Sequence, residues 1–169
     1  MPDIAATTFN HVKEDAMIQF RDCLFKIKDI DTAMILFVSG ARSLLDVNFI
    51  SLVIGTGRND LLLVVEKSSY SKKRVIRTKG YPLQIAEMIT RKWNTEFRMK
   101  TPVGNHHKTI GYLVAGSNER MELNLEDALI WENLVAIAST VFVNFLKPDT
   151  NNYLNEKNTK RKKTKIPVK

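Results

Sequence analysis

Three kinds of hydrophobic pattern succeed one another along the chain. Residues 9–31 carry apolar side chains at Val12, Ala16, Phe20, Cys23, Ile27 and Ile30, at intervals of 4, 4, 3, 4 and 3. That is the period of one helix face and predicts a helix over 9–31. Asn10 is its expected N-cap, and Glu14 and Asp15 suit the positive end of the helix dipole. Lys26 and Lys28 suit the other end. Residues 33–38 form a short unbroken apolar run closed by Ser39-Gly40, which reads as a strand. Two further β-rich runs, 49–54 and 61–66, flank Gly55-Thr56-Gly57-Arg58-Asn59-Asp60, the signal of a hairpin. Both runs are almost wholly apolar, so both of their faces are expected to be covered.

Beyond residue 80 the helical period returns. Pro82 suits the first turn of a helix over 83–93, whose stripe is Ile85, Ala86, Ile89 and Trp93. Residues 98–103 and 109–115 read as strands joined by the turn 104–108. Asn124 is placed to cap a last helix over 125–146, with Glu126 and Asp127 in its first turn and Asp127 at the acidic position of a capping box. Pro148 marks a stop beyond it. This helix has two adjacent apolar stripes, Ile130/Leu134/Ile137/Val141/Phe145 and Trp131/Val135/Ala138/Phe142. Together they exceed what one sheet face needs. The surplus is expected to meet either the first helix or the same helix of a second copy, a homodimer through 125–146. The order of elements predicts an α+β fold: an antiparallel sheet with the N- and C-terminal helices on one face.

Charge changes this picture at two places. The chain has 169 residues and a formal net charge of +8. Residues 156–169 carry +6, and residues 67–79 carry another +6 from Lys67, Lys72, Lys73, Arg74, Arg77 and Lys79 with no acid. The rest is mildly acidic. Two units follow: a domain over 1–147 and a basic tail over 148–169 whose Asn- and Lys-rich composition is that of a disordered segment. The tail could meet nucleic acid or an acidic partner, although it lacks the aromatic residues that stack on bases. The internal basic segment reads either as a solvated loop or as an anion-facing loop.

Catalytic and metal patterns are sparse. One cysteine excludes an internal disulfide and any Cys-rich zinc module. Cys23 falls on the apolar stripe of the first helix, which predicts a buried structural thiol. His106-His107 sits in a turn without the further ligands that zinc requires. Gly55-Thr56-Gly57 lacks the Gly-Lys-Ser/Thr ending of a phosphate loop and joins strand to strand. Neither a signal peptide nor a membrane-spanning run is expected, and the chain is expected to be cytoplasmic and non-enzymatic.

The stretch 104–146 resembles a GAF domain, the ligand-sensing module. The resemblance rests on the turn Gly104-Asn105-His106-His107-Lys108 and the strand Thr109-Ile110-Gly111-Tyr112-Leu113-Val114-Ala115. It continues through Leu123, Glu126-Asp127, Ile130, Glu132, Leu134 and Ala138 of the capped helix. In this pattern Gly111 lets a helix lie close on the sheet. The resemblance implies six antiparallel strands, with the first and last helices on one face and a ligand pocket on the other, roofed by 67–100. It then implies a lining of Tyr81, Ile85, Met88, Ile89 and Trp93, faced by Tyr112 and Val114. Arg77, Lys79 and Arg91 would supply charge to an anionic ligand. Ordinary core packing is the alternative for each. The Asn-Lys-Phe-Asp signature of cyclic-nucleotide-binding members is missing, and Cys23 is misplaced for a chromophore. The function expected is a regulatory module that binds a small molecule and signals to a partner protein through its terminal helices. The alternatives are a ligand-free dimerisation or interaction module, nucleic-acid contact through the tail, or a methionine sulfoxide reductase on the same scaffold.

Overall fold

The computed structural model describes residues 4–45, 47–57, 59–66, 74–93, 95, 97–118 and 124–147. In chain order the elements are helices α1 (Ile4–Phe25) and α2 (Ile30–Leu44), strands β1 (Phe49–Gly57), β2 (Asp60–Glu66) and β3 (Ile76–Lys79), helix α3 (Pro82–Lys92), strands β4 (Phe97–Asn105) and β5 (Lys108–Ser117), and helix α4 (Leu125–Phe145). The strands form one five-stranded sheet of order β3-β2-β1-β5-β4. Every pair in it is antiparallel.

Alternation along the central strands sorts the side chains into two layers. Ile50, Leu52 and Ile54 of β1, with Leu113 and Ala115 of β5, join the main core under α1, α2 and α4. Phe49 and Val53, with Val114, belong to a smaller core under α3. The terminal helices therefore share one face, as the sequence pattern predicts.

The N-terminal third departs from expectation. Residues 33–38 are not a strand; they lie inside α2. Ala33, Met34, Phe37, Val38 and Ala41 are its buried residues, the i, i+1, i+4, i+5, i+8 set of a helix with a broad apolar face. Asp29 caps α2 by accepting from the Thr32 N–H at 2.8 Å and the Thr32 hydroxyl at 2.6 Å. The helix expected over 9–31 is thus two helices, separated by a short break. Lys26 and Ile27 donate to the Cys23 and Leu24 carbonyls in that break. Asn10 lies inside α1, which starts at Ile4, and not at its N-terminus. The inward stripe of α1 is one step round from the expected one: Met17 and Leu24 are buried, while Ala16 and Cys23 are exposed. Gly40 is not a turn residue either. It sits within α2 where a Cβ would overlap the Phe20 ring, so its missing side chain lets α1 close on α2.

Among the described residues the sheet has five strands, where the resemblance implies six. Part of the basic segment is strand β3, which pairs Leu61–Leu63 with 76–78 and Asp60 with Lys79. Lys67, Lys72 and Lys73 lie outside the described residues, as do Leu123, Pro148 and the tail. The β1–β2 hairpin forms as expected. Gly57 at φ 109° and Asn59 at φ 63° occupy the left-handed region that its turn requires. Gly111 acts differently from the resemblance: a Cβ there would overlap the Val53 carbonyl of β1, so it permits a close strand, not a close helix.

Helix α4 is legible throughout. The Asn124 side chain accepts from the Asp127 N–H at 2.8 Å, which is the expected cap. Both apolar stripes are spent within the chain. Phe142 meets Phe37 of α2 edge-on at 5.9 Å, and the Trp131 indole donates to the Thr101 hydroxyl of β4 at 2.9 Å. No spanning run was expected, yet α4 is long and apolar enough to cross a membrane by length and composition. Seven of its residues are buried in the core of this sheet, and 39% of that apolar window lies inside the structure.

Candidate functional site

The α3 face of the sheet is the place where most of the expected lining residues meet. Helix α3 starts at Pro82, whose fixed φ suits the first turn. From there Ala86 and Ile89 point inward and are buried, while Ile85 and Trp93 are half-buried beside them. Beneath them lie Val114 and Tyr112 of β5, Phe49 and Val53 of β1, and Leu63 of β2. The Trp93 ring stacks on Phe49 with centroids 5.4 Å apart and 25° between planes. Phe49 reaches that position because its partner across the ladder is Gly116. A Cβ on Gly116 would overlap both the Phe49 ring and the Thr95 hydroxyl.

Five expected residues therefore converge: Ile85, Ile89, Trp93, Tyr112 and Val114. Tyr81 and Met88 do not; each is 56% exposed. Tyr81 precedes the helix at its N-cap position, and Met88 is one residue, about 100° of rotation, away from the inward Ile89.

The three expected cations do not converge either. On β3, Arg77 and Lys79 alternate with Thr78, and Thr78 pairs with Leu61 while Arg77 pairs with Leu62 of the main core. Arg77 accordingly reaches away from α3. It grips Asp31 of α2 through Nη1–Oδ2 at 2.8 Å and Nη2–Oδ1 at 2.9 Å. That carboxylate raises the guanidinium pKa further above its usual range. Lys79 pairs with Asp60 across the strand. Arg91 is exposed on α3. An anion held jointly by these three side chains is not supported by this geometry.

Sequence reasoning missed Phe49, Ser51, Val53 and Leu63. Ser51 is fully buried on the same side of β1 as Phe49 and Val53, a hydroxyl set among apolar neighbours. The signal for these residues is the two-residue period of β1, which its apolar composition on both faces conceals. One ion pair, Lys100 of β4 with Glu87 of α3 at 3.4 Å, ties the helix to the sheet margin. His106 and His107 are exposed in the β4–β5 turn. The Trp93–Phe49 pair thus stacks over a closely packed apolar floor that also holds Ser51.

No family model matches the sequence. No curated protein matches it either. Solved structures do match. The GAF domain of an Acinetobacter phosphoenolpyruvate-protein phosphotransferase aligns with a TM-score of 0.58 at 13% identity, over 79% of this chain and 94% of that one. The chromophore-binding domain of a bacteriophytochrome from R. palustris gives 0.59 at 7% identity, over 80% and 62%. The free methionine-R-sulfoxide reductase of Neisseria meningitidis, in complex with its substrate, gives 0.54 at 14% identity, over 76% and 87%. At these identities the likeness is one of architecture, and by it this chain has a GAF-type fold over most of its length.

Proposed function

We infer that this chain is a non-catalytic sensory or regulatory module. It takes a small molecule between α3 and the sheet and passes the change to a partner protein through α1 and α4. The observation that carries this reading is the back-to-back use of β1 and β5. Phe49 and Val53 face α3, while Ile50, Leu52 and Ile54, their immediate neighbours, face the helical layer. A shift of the strand under a ligand is then a shift under the terminal helices, and packed layers respond by discrete repacking. Two of the solved neighbours are described as holding a small molecule, a chromophore in one and a substrate in the other. That lends support to a ligand on this fold. The non-catalytic part rests on chemistry. Reversible redox work of the sulfoxide-reducing kind needs accessible thiols. Cys23 is the sole cysteine and lies on α1, across the sheet from α3.

The test is native mass spectrometry of gently purified protein, joined to a thermal-shift screen of aromatic and heterocyclic metabolites. A ligand at 100 times its Kd stabilises by about 2.7 kcal/mol. Trp93→Ala is expected to weaken the shift, and Met88→Ala to leave it unchanged. A screen without any stabilising compound, or a ligand indifferent to Trp93, would count against the reading. Turnover of methionine sulfoxide by the purified chain would overturn its non-catalytic part.

A further inference from the structure

We propose that the α3 face of the molecule docks reversibly on an anionic lipid surface, lying on it and not crossing it. Helix α3 packs on β5 and β1, and apolar side chains stand out on and beside it. Tyr81, Leu83 and Met88 are 56%, 42% and 56% exposed. Ile76 of β3, 41% exposed, belongs to the same face, because it pairs with Leu63, which packs against the smaller core. These are four of the nine large apolar side chains exposed among the described residues. Ala86 and Ile89 mark the inward direction of α3. Gln84 and Arg91 fall opposite them, with Leu83 on one flank and Met88 on the other.

Strand register adds cations to this face. Arg98 pairs with Gly116, which also pairs with Phe49, and Lys100 pairs with Val114. Phe49 and Val114 belong to the smaller core, so Arg98 and Lys100 stand on the α3 side of the sheet. Both are exposed, as are Arg91 and Lys92 of α3. Among the described residues the acid of this face is Glu87, and it pairs with Lys100. Arg91, Lys92 and Arg98 have no acidic partner among the described residues. The Arg98 Nε donates to the Thr95 carbonyl, which leaves its charge uncompensated. The helical layer shows the opposite habit: Lys13, Arg21 and Arg77 are matched there by Glu126, Asp22 and Asp31. Uncompensated positive charge and exposed apolar side chains thus coincide on the α3 face.

That coincidence selects the occupant. A nucleic acid would answer the cations but offers nothing to Leu83, Met88 and Ile76. An acidic protein would have to match both features in shape, over the roughly 800 Å² that a stable interface takes from each partner. Four apolar side chains on an 11-residue helix and an edge strand fall short of that. A lipid surface makes no demand of shape. Apolar side chains enter the boundary between headgroups and acyl chains, while cations above them meet the phosphates and carboxylates of anionic lipids. Each Lys or Arg near such a surface strengthens binding about fivefold. Tyr81 suits the headgroup level, where rings with a polar tip gather.

Vesicle co-sedimentation of the full chain without a small-molecule ligand tests the docking, so it stands or falls apart from the reading of the space beneath α3. The chain is expected to bind phosphatidylcholine vesicles that contain phosphatidylserine, more weakly as salt rises, and not to bind phosphatidylcholine alone. The basic tail is the same in every variant, so their comparison isolates the face. Arg91→Gln combined with Lys92→Gln should weaken binding about thirty-fold. Met88→Glu should weaken it as well, whereas Leu36→Glu, at an exposed position of α2, should not. Circular dichroism checks that each variant is folded. Insertion is read with Met88→Cys in a Cys23→Ser background: a polarity-sensitive dye there should shift to the blue on the mixed vesicles. A chain that ignores the mixed vesicles overturns the proposal. So does binding indifferent to both α3-face variants, or a dye that stays in water, since either assigns the attraction to the tail. A single-stranded oligonucleotide that binds more tightly than the vesicles, and is lost with the same variants, would overturn it in favour of nucleic acid.

Discussion

Gly40 is a glycine in a helix interior, where alanine would ordinarily be preferred by about 1 kcal/mol. Here the preference is reversed because the Phe20 ring occupies the space of the missing Cβ. Gly40→Ala is therefore expected to destabilise by about 1–3 kcal/mol through overpacking. In a Phe20→Ala background the same change should become stabilising. A double-mutant cycle by chemical denaturation reads the sign change, and a Gly40→Ala effect independent of Phe20 would refute the account. The inward stripe of α1 illustrates how far residue-level reading goes. Helical spacing admits Ala16/Cys23 and Met17/Leu24 as neighbouring solutions about 100° apart. Only the arrival of α2 and α4 selects Met17 and Leu24. At the candidate site, the stripe Ile85/Ala86/Ile89/Trp93 was legible because α3 has one apolar side. Phe49, Ser51 and Val53 were not, because β1 is apolar on both.

At the scale of the element, α4 and α2 stand in contrast. Asn124 before Glu126-Asp127 announces one start for α4, and nothing competes with it. For α2 the run 33–38 fits a strand period and a helix period equally, and the deciding signal lay upstream in Asp29 and Thr32. That cap titrates. The Thr32 hydroxyl, and then its N–H, stabilise the Asp29 carboxylate and lower its pKa from the ordinary 3.8. A depressed carboxylate contributes stability that is present above the unfolded value and lost as pH falls through the folded one. Asn caps as well as Asp but does not titrate. Asp29→Asn should thus differ from the parent by a constant melting offset above about pH 4 and by a changing one below it. A melting-temperature difference flat through the acid range would refute this. β3 was hidden for another reason: its charges, Arg77 and Lys79, look like a loop until Asp31 and Asp60 are seen opposite them.

Across the whole molecule, the sheet serves two cores of unequal size. Helix α4 contributes seven buried residues and α2 five, but α3 only Ala86 and Ile89. Helix α3 should open locally at a lower free energy than the rest. Native-state hydrogen exchange is expected to show α3 amides exchanging well before those of α2 and α4, and equal protection would speak against a separately yielding α3. That division was legible in the sequence only as the surplus of apolar surface on α4 over α3. The sheet order carries a consequence for how the chain folds. Each of the pairs β1–β2 and β4–β5 closes through a short turn, whereas the β1–β5 seam joins Ile54 to Gly111. Closing a loop of that length costs about 3.6 kcal/mol in chain entropy by the logarithmic law, beyond a constant. The two hairpins are therefore the early units, and the seam is the late step that commits the chain. Until it closes, β1 and β5 each present an unpaired, almost wholly apolar edge. The centre of the finished sheet is, during assembly, its most association-prone part.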